Sequence, residues 1–209
     1  MARPDLTGIL LVGGASRRFG SPKALALMDG KTLAGRAWET LGAACGERVA
    51  VGKRADGLDL PFPVLDDDTP TRAALAGIVA GLRAAPTELC VVLPVDTPLV
   101  TPHVLLALAD ALQVTDCYKV TRPIDAAVTQ TGPLPAAFRR SALAVLERRL
   151  AAESFALRDA LAELKTREIY ADPALLANVN TPEELYELER LTASASSSSS
   201  SPLRARPTR

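Results

Sequence analysis

The sequence predicts an α/β protein, a three-layer α/β/α sandwich on a mostly parallel sheet. Three observations carry that expectation. Two runs are apolar throughout, Ile9-Leu10-Leu11-Val12 and Cys90-Val91-Val92-Leu93, as parallel strands covered by helices on both faces require. Strand-like runs alternate with helix-like segments in a βαβ rhythm. Polar clusters follow directly on three of the runs, and open parallel sheets bind ligands outside the carboxyl ends of their strands.

Taken in order, the pattern gives a strand over residues 7–12, a helix over 32–44, strands over 48–51 and 63–65, a helix over 71–84 and a strand over 89–93. A helix over 101–112 comes next, then strand-like pieces at 117–121 and 126–129, a helix over 135–152, a shorter one over 154–164 and an extended stretch at 167–170. Thr181-Pro182-Glu183-Glu184 opens a last helix, with Thr181 as N-cap, Pro182 at the first helical position and Glu184 three residues on, a capping box. From residue 192 the chain is serine-rich and then Pro- and Arg-rich, a composition with too little apolar surface to fold. The expected organisation is one domain over 1–191 and a disordered tail over 192–209.

Lysine plus arginine and aspartate plus glutamate number 24 each in 209 residues. No overall field attracts nucleic acid or an anionic membrane, so any anion site must be local. Cys45, Cys90 and Cys117 form no C-x-x-C pair, which argues against zinc or a disulfide framework. Residues 9–12 are too short for a signal-peptide core, and no run reaches a membrane span. The expected setting is the cytoplasm.

The stretch Val12-Gly13-Gly14-Ala15-Ser16-Arg17-Arg18-Phe19-Gly20, with Lys23 beyond it, joins a buried strand to a glycine turn with cations. Gly13 and Gly14 let backbone N–H groups approach an anion closely, and Arg17, Arg18 and Lys23 bring positive charge, the build of a polyphosphate cradle. The spacing fits neither G-x-x-x-x-G-K-[ST] nor G-x-G-x-x-G, so neither a P-loop ATPase nor a dinucleotide dehydrogenase is indicated.

Asp96 ends the most apolar strand and is followed by Thr97-Pro98, which suits a magnesium ligand beside a triphosphate; the alternative is a carboxylate capping the turn. In Asp66-Asp67-Asp68 a carboxylate can accept from the donor edge of guanine, but spacing does not choose among the three, and solvated loop carboxylates are the competing reading. Asn178 and Asn180 occupy alternate positions before a helix N-terminus, where amides either orient phosphate or a metal-bound water or serve as turn residues. His103, just inside a helix start, reads as a surface residue. Ser16 has no second histidine to activate it, which argues against covalent catalysis.

Leu11-Val12-Gly13-Gly14-Ala15-Ser16-Arg17-Arg18-Phe19-Gly20 with Lys23, Leu75-Ala76-Gly77, Pro94-Val95-Asp96-Thr97-Pro98 and Asn178-Val179-Asn180-Thr181-Pro182-Glu183-Glu184-Leu185 resemble, in order and spacing, the molybdenum cofactor guanylyltransferase family. The likeness covers residues 6–191. It implies a Rossmann-like sheet of the nucleotide-diphospho-sugar transferase type. It also implies that Leu11, Val12 and Gly13 contact the nucleotide and that Lys23 binds its phosphates. Asp67 would touch the guanine nucleotide, Asp96 would hold magnesium (Mg2+) and the phosphates, and Asn178 and Asn180 would lie near the second substrate. That substrate is molybdopterin carrying molybdenum, GTP is the donor, and molybdoenzymes or cofactor-delivery proteins are the implied further partners. The implied reaction is attack by the cofactor's terminal phosphate on the α-phosphorus of GTP, releasing pyrophosphate.

The chain departs from the family pattern at Ala73-Ala74 (usually Gly-Pro), Phe19 (often Met), Val12 (often Ala) and Gly52 (Asn in some relatives). Two rival readings are a cytidylyltransferase acting on the same pterin and a non-catalytic module that delivers cofactor.

Overall fold

The computed structural model describes residues 1–13, 19–113 and 124–198, with side chains as far as residue 194. β1 (Arg3–Leu11) is fully buried from Leu6 onward. After it come β2 (Leu27–Met28) and β3 (Lys31–Thr32), a small antiparallel hairpin that turns at Asp29 and Gly30, both at positive φ (49° and 76°). Asp-Gly is the residue pair such a turn favours; two-residue strands leave no apolar period to read.

α1 (Leu33–Ala44) starts at Thr32, whose hydroxyl accepts from Gly35 N at 3.0 Å, and passes directly into β4 (Cys45–Gly52) and then β5 (Val64–Asp66). α2 (Ala74–Ala84) lies low over β1, because Gly77 and Gly81 carry no Cβ: one at Gly81 would sit 2.5 Å from Ile9 Cγ2 and one at Gly77 2.9 Å from Leu11 Cδ2. The remaining elements are β6 (Leu89–Pro94), α3 (Pro102–Ala111), β7 (Ala126–Thr129), β8 (Gly132–Arg139), α4 (Leu143–Ala151), α5 (Leu157–Glu163), β9 (Thr166–Ile169) and α6 (Pro182–Ser198).

Among the described residues seven strands form one sheet in the order β5-β4-β1-β6-β8-β7-β9. All neighbours are parallel except β8, which is antiparallel to both β6 and β7. The three-layer, mostly parallel architecture is therefore as the sequence implies. One face packs Leu10, Leu41, Leu93 and Leu105 under α1 and α3; the other packs Ile9, Ile78, Val92 and Phe138 under α2, α4 and α5. From β1 the chain goes outward to β4 and β5, then crosses back to β6 on the other side of β1. That reversal creates a crevice at the carboxyl ends of β1 and β6. Because β7 runs parallel with β6, the turn at residues 130–131 sits on the same rim.

The helix expected over 135–152 is a correction. Residues 132–139 are β8, and only Leu143–Ala151 is α-helical. Ala136, Ala137 and Phe138 are 0% exposed between two strands and two helical layers. Small alanines let both layers close on this central strand, and the same alanines read as helix formers when packing is invisible. Pro133 and Pro135 fall where the β7–β8 register shifts, so the ladder loses little from their missing N–H groups.

α6 continues to Ser198, seven residues past the boundary expected at 191. Extending an existing helix costs little at Ala and Ser, and Thr192 Oγ1 bonds the carbonyls of Leu188 (3.1 Å) and Glu189 (2.9 Å). The strand expected at 117–121 and the rest of the tail, 199–209, lie outside the described residues. Among the described residues no helix is long and apolar enough to cross a membrane.

Candidate active site

The strand ladders continue past their last paired residues and draw the rim together. Val12 N donates to Val51 O at 2.9 Å, Val95 N to Leu11 O at 3.2 Å and Asp67 N to Gly52 O at 3.2 Å. A cleft of about 530 Å³ opens there, and Leu11, Gly13, Asp67, Asp96 and Asn178 all line it. Five of the expected site residues, drawn from four separate stretches of sequence, thus share one wall. Gly14 and Arg17 lie outside the described residues. Val12 turns its side chain into the core, 5% exposed.

Backbone contact explains the close fit of the first loop against β4. A Cβ on Gly13 would stand 3.4 Å from Gly52 Cα and 3.7 Å from Lys53 N. At Gly52 a Cβ would come within 2.8 Å of Val12 Cγ2 and 3.2 Å of Val64 Cγ1, so Val12 fills the space a side chain at 52 would need. The two departures from the family pattern at positions 12 and 52 are one packing solution.

Asp96 is fixed by its own turn. Thr97, 3% exposed, bonds Pro94 O through its hydroxyl at 3.2 Å, and Asp96 O accepts from Val179 N at 2.8 Å. That second bond docks the Asn178-Val179-Asn180 segment onto the end of β6. Phe19, Met28, Leu33, Val179 and Leu185 form a separate apolar cluster that holds the first loop, the hairpin and the start of α6 together. On this support Lys23 Nζ reaches Asn180 Oδ1 at 3.3 Å, stands 4.0 Å from Asp96 Oδ2 and lies 5.7 Å from the centre of the Phe19 ring.

Burial pushes the Asp96 carboxyl above the usual carboxylate range, and Lys23 only partly opposes this because 4.0 Å is too long for a hydrogen bond. Burial likewise lowers Lys23, with Asp96 and Glu184 pulling the other way. Both charges favour a ligand that brings the opposite sign close.

The structure chooses among the three aspartates. Asp66 accepts from Arg54 N (2.8 Å) and Asp68 N (2.9 Å), which hold its carboxyl below the usual range and leave it a loop-ordering residue. Asp68 takes positive φ at the bend. Asp67 alone of the three lines the cleft, paired with Lys53.

Three cleft cations escaped the sequence reading: Lys53, Arg72 and Arg158. Lys53 stood within reach of the strand-end rule, since it follows the apolar end of β4 as Asp96 follows that of β6. Arg72 and Arg158 carry no such signal; they arrive from a loop and from the first turn of α5. His103 is exposed and lies away from this wall. Among the described residues no three His, Cys, Asp or Glu cluster as a preformed metal cage. Of the two cleft carboxylates Asp67 is held by Lys53, which leaves Asp96 to suit an ion whose other ligands are phosphate oxygens and water.

Residues 8–168 match the MobA-like NTP transferase domain. Among curated proteins, the chain is 34% identical to a probable molybdenum cofactor guanylyltransferase of Chloroflexus aggregans, over 86% of this chain and 91% of that one. It is 35% identical to a molybdenum cofactor guanylyltransferase of Burkholderia orbicola, over 90% and 98%. Among solved structures, molybdopterin-guanine dinucleotide biosynthesis protein A from Archaeoglobus fulgidus superposes with a TM-score of 0.74 at 25% identity, covering 90% of this chain and 99% of that one. A 2-C-methyl-D-erythritol 4-phosphate cytidylyltransferase from Thermus thermophilus shares the fold, with a TM-score of 0.65 at 18% identity over 89% and 98%.

Proposed function

We propose that this chain, which belongs to the family of MobA-like NTP transferases, is a molybdenum cofactor guanylyltransferase: it transfers GMP from GTP to the terminal phosphate of molybdopterin-bound molybdenum cofactor. The observation that carries the reading is the convergence of Gly13, Lys23, Asp67, Asp96 and Asn180 on one rim, in a chain about a third identical to curated guanylyltransferases along nearly its whole length.

We assign the substrates along the order of the strands. Lys53, Asp67 and Arg72 at the β4–β5 end receive the nucleoside, over an apolar floor of Leu11, Val51 and Gly77. Lys23, Asp96 and Asn180 at the β1–β6 switch receive the phosphates. Thr131 and Pro133 at the β7–β8 turn and Arg158 from the first turn of α5 bound the far end, which receives the acceptor, with Asn178 between the two halves.

Transfer of this kind depends on holding the reacting groups in line and offsetting charge on the transferring phosphate. An acceptor phosphate oxygen attacks the α-phosphorus, the α–β anhydride bond breaks, and pyrophosphate leaves with that bond's electron pair. Lys23 places its ammonium on the phosphates, and Asn180 orients Lys23 through the 3.3 Å contact. Asp96 is the residue that would hold magnesium, which when bound supplies charge neutralisation to the phosphates. No covalent enzyme intermediate is needed. Cys45 and Cys90 are buried, and their thiols are pushed up to about 12, so neither is a nucleophile at neutral pH.

The test is product analysis with purified protein, magnesium, molybdenum cofactor and each of GTP, CTP and ATP. Pyrophosphate release with GTP and a guanine dinucleotide product are expected. Preference for CTP would replace the reading with the cytidylyl reaction, and nucleotide binding without pyrophosphate would reduce the protein to a delivery module.

A further inference from the structure

The Lys53–Asp67 pair is built more elaborately than a cleft wall requires. Both side chains are nearly buried, 10% and 6% exposed. Lys53 Nζ donates to Asp67 Oδ1, to the carbonyl of Thr69 and to Thr69 Oγ1, so all three of its protons are committed. Thr69 N and Thr69 Oγ1 each reach the same Asp67 Oδ1 at 3.1 Å. Lys53 Nζ and Thr69 N therefore hold Oδ1, with the single proton of the Thr69 hydroxyl placed between Oδ1 and Thr71 O at 3.2 Å, while Oδ2 accepts from no group among the described residues. The carboxylate is clamped by one oxygen and offers the other to the cleft.

We infer that Lys53 is the positioning residue for base selection: by clamping Oδ1 it presents Asp67 Oδ2 as the acceptor for the donor edge of guanine. The inference rests on the guanylyl reading above and deepens it. Guanine offers N1–H and the exocyclic N2–H from the two nitrogens bonded to C2, side by side, and one carboxylate oxygen accepts both. Cytosine sets the lone pair of N3 beside its only amino group, and adenine sets N1 there, so each brings an acceptor against the carboxylate. Lys53 also matches the charge of Asp67, which leaves this end of the cleft suited to a neutral base. Its backbone is pressed against the phosphate loop, 3.7 Å from where a Gly13 Cβ would be, so the base reader and the phosphate cradle are in fixed register.

The test is equilibrium binding of GTP, ITP (which lacks the exocyclic amino group) and CTP to the full chain and to two variants. The shared triphosphate cancels in each ratio. A hydrogen bond to a carboxylate implies that the wild-type protein prefers GTP over ITP by about tenfold or more. Lys53→Met is expected to bring that ratio to within about threefold, with GTP losing more affinity than ITP, which has only the N1–H contact to lose. Asp67→Asn, in which Lys53 still holds the remaining oxygen and the amide nitrogen takes the Oδ2 place, is expected to reverse preference from GTP to XTP, whose C2 carbonyl accepts. This second variant gives a gain of binding that a folding defect does not imitate. A Lys53→Met protein that keeps the wild-type ratio, or loses all three nucleotides equally, overturns the inference and leaves the guanylyl reading standing. A wild-type protein that binds CTP more tightly than GTP ends both.

Discussion

Asp96→Ala is expected to lower kcat/KM by roughly a thousandfold or more, a loss at or beyond that of a single well-aimed transition-state donor, while the protein stays folded. The catalytic half of the expectation follows from position. Asp96 lies at the switch between β1 and β6, and its turn is locked by the Thr97 hydroxyl, so its carboxylate is presented to the cleft, where the proposed reaction puts the phosphates, in one geometry. The stability half follows from sign. Burial raises its carboxyl in the folded state, so above the ordinary carboxylate range the ionised group opposes folding, and its removal gives that back. Glu184 still faces Lys23 after the change, and the backbone carbonyl at 96 still accepts from Val179 N. Thermal melting beside steady-state kinetics checks both halves. A melting point within a few degrees of wild type with near-normal turnover would remove Asp96 from the reaction.

Lys23→Met should cost about a hundredfold to a thousandfold, mostly in kcat, because its ammonium matters most where negative charge gathers on the transferring phosphate. The methionine keeps the side chain's length and its contact with Phe19, so the Phe19–Val179–Leu185 cluster survives and the loop is not released. Kinetics with GTP varied at saturating cofactor separates the two parameters. A variant whose kcat stays within threefold of wild type, with only KM raised, would make Lys23 a ground-state binding group.

What could be read in advance was what local chemistry dictates. The apolar runs at 9–12 and 90–93 became β1 and β6, buried as expected, because a strand flanked by helices on both faces leaves a continuous apolar signature. The last helix opened where Thr181, Pro182 and Glu184 said it would: Glu184 N donates to Thr181 Oγ1 at 3.2 Å. Glu184 Oε2 accepts from Asn180 N at 2.5 Å, one residue earlier than an ordinary capping box, and so braces the amide that orients Lys23. The strand-end rule correctly brought Gly13, Asp67 and Asp96 to one rim.

Choices made by distant contacts were not legible. Nothing in Asp66-Asp67-Asp68 distinguishes its members until Arg54 N claims Asp66 and Lys53 claims Asp67. β8 looked helical because the reason for its alanines, close packing under two layers of helices, is a property of the assembled sheet. Gly52 looked like a loss of a polar group, and the reason for it is a methyl group of Val12, forty residues away in sequence.

A structure of the protein with magnesium and a non-hydrolysable GTP analogue tests the central claim most directly, that a single rim grips the whole nucleotide. The expected complex has the guanine edge on Asp67 Oδ2, the triphosphate between the first loop and Lys23, and the metal on Asp96, with the far end toward Arg158 left open for the acceptor. A nucleotide bound elsewhere, or seated with its base at the Arg158 end, would contradict it.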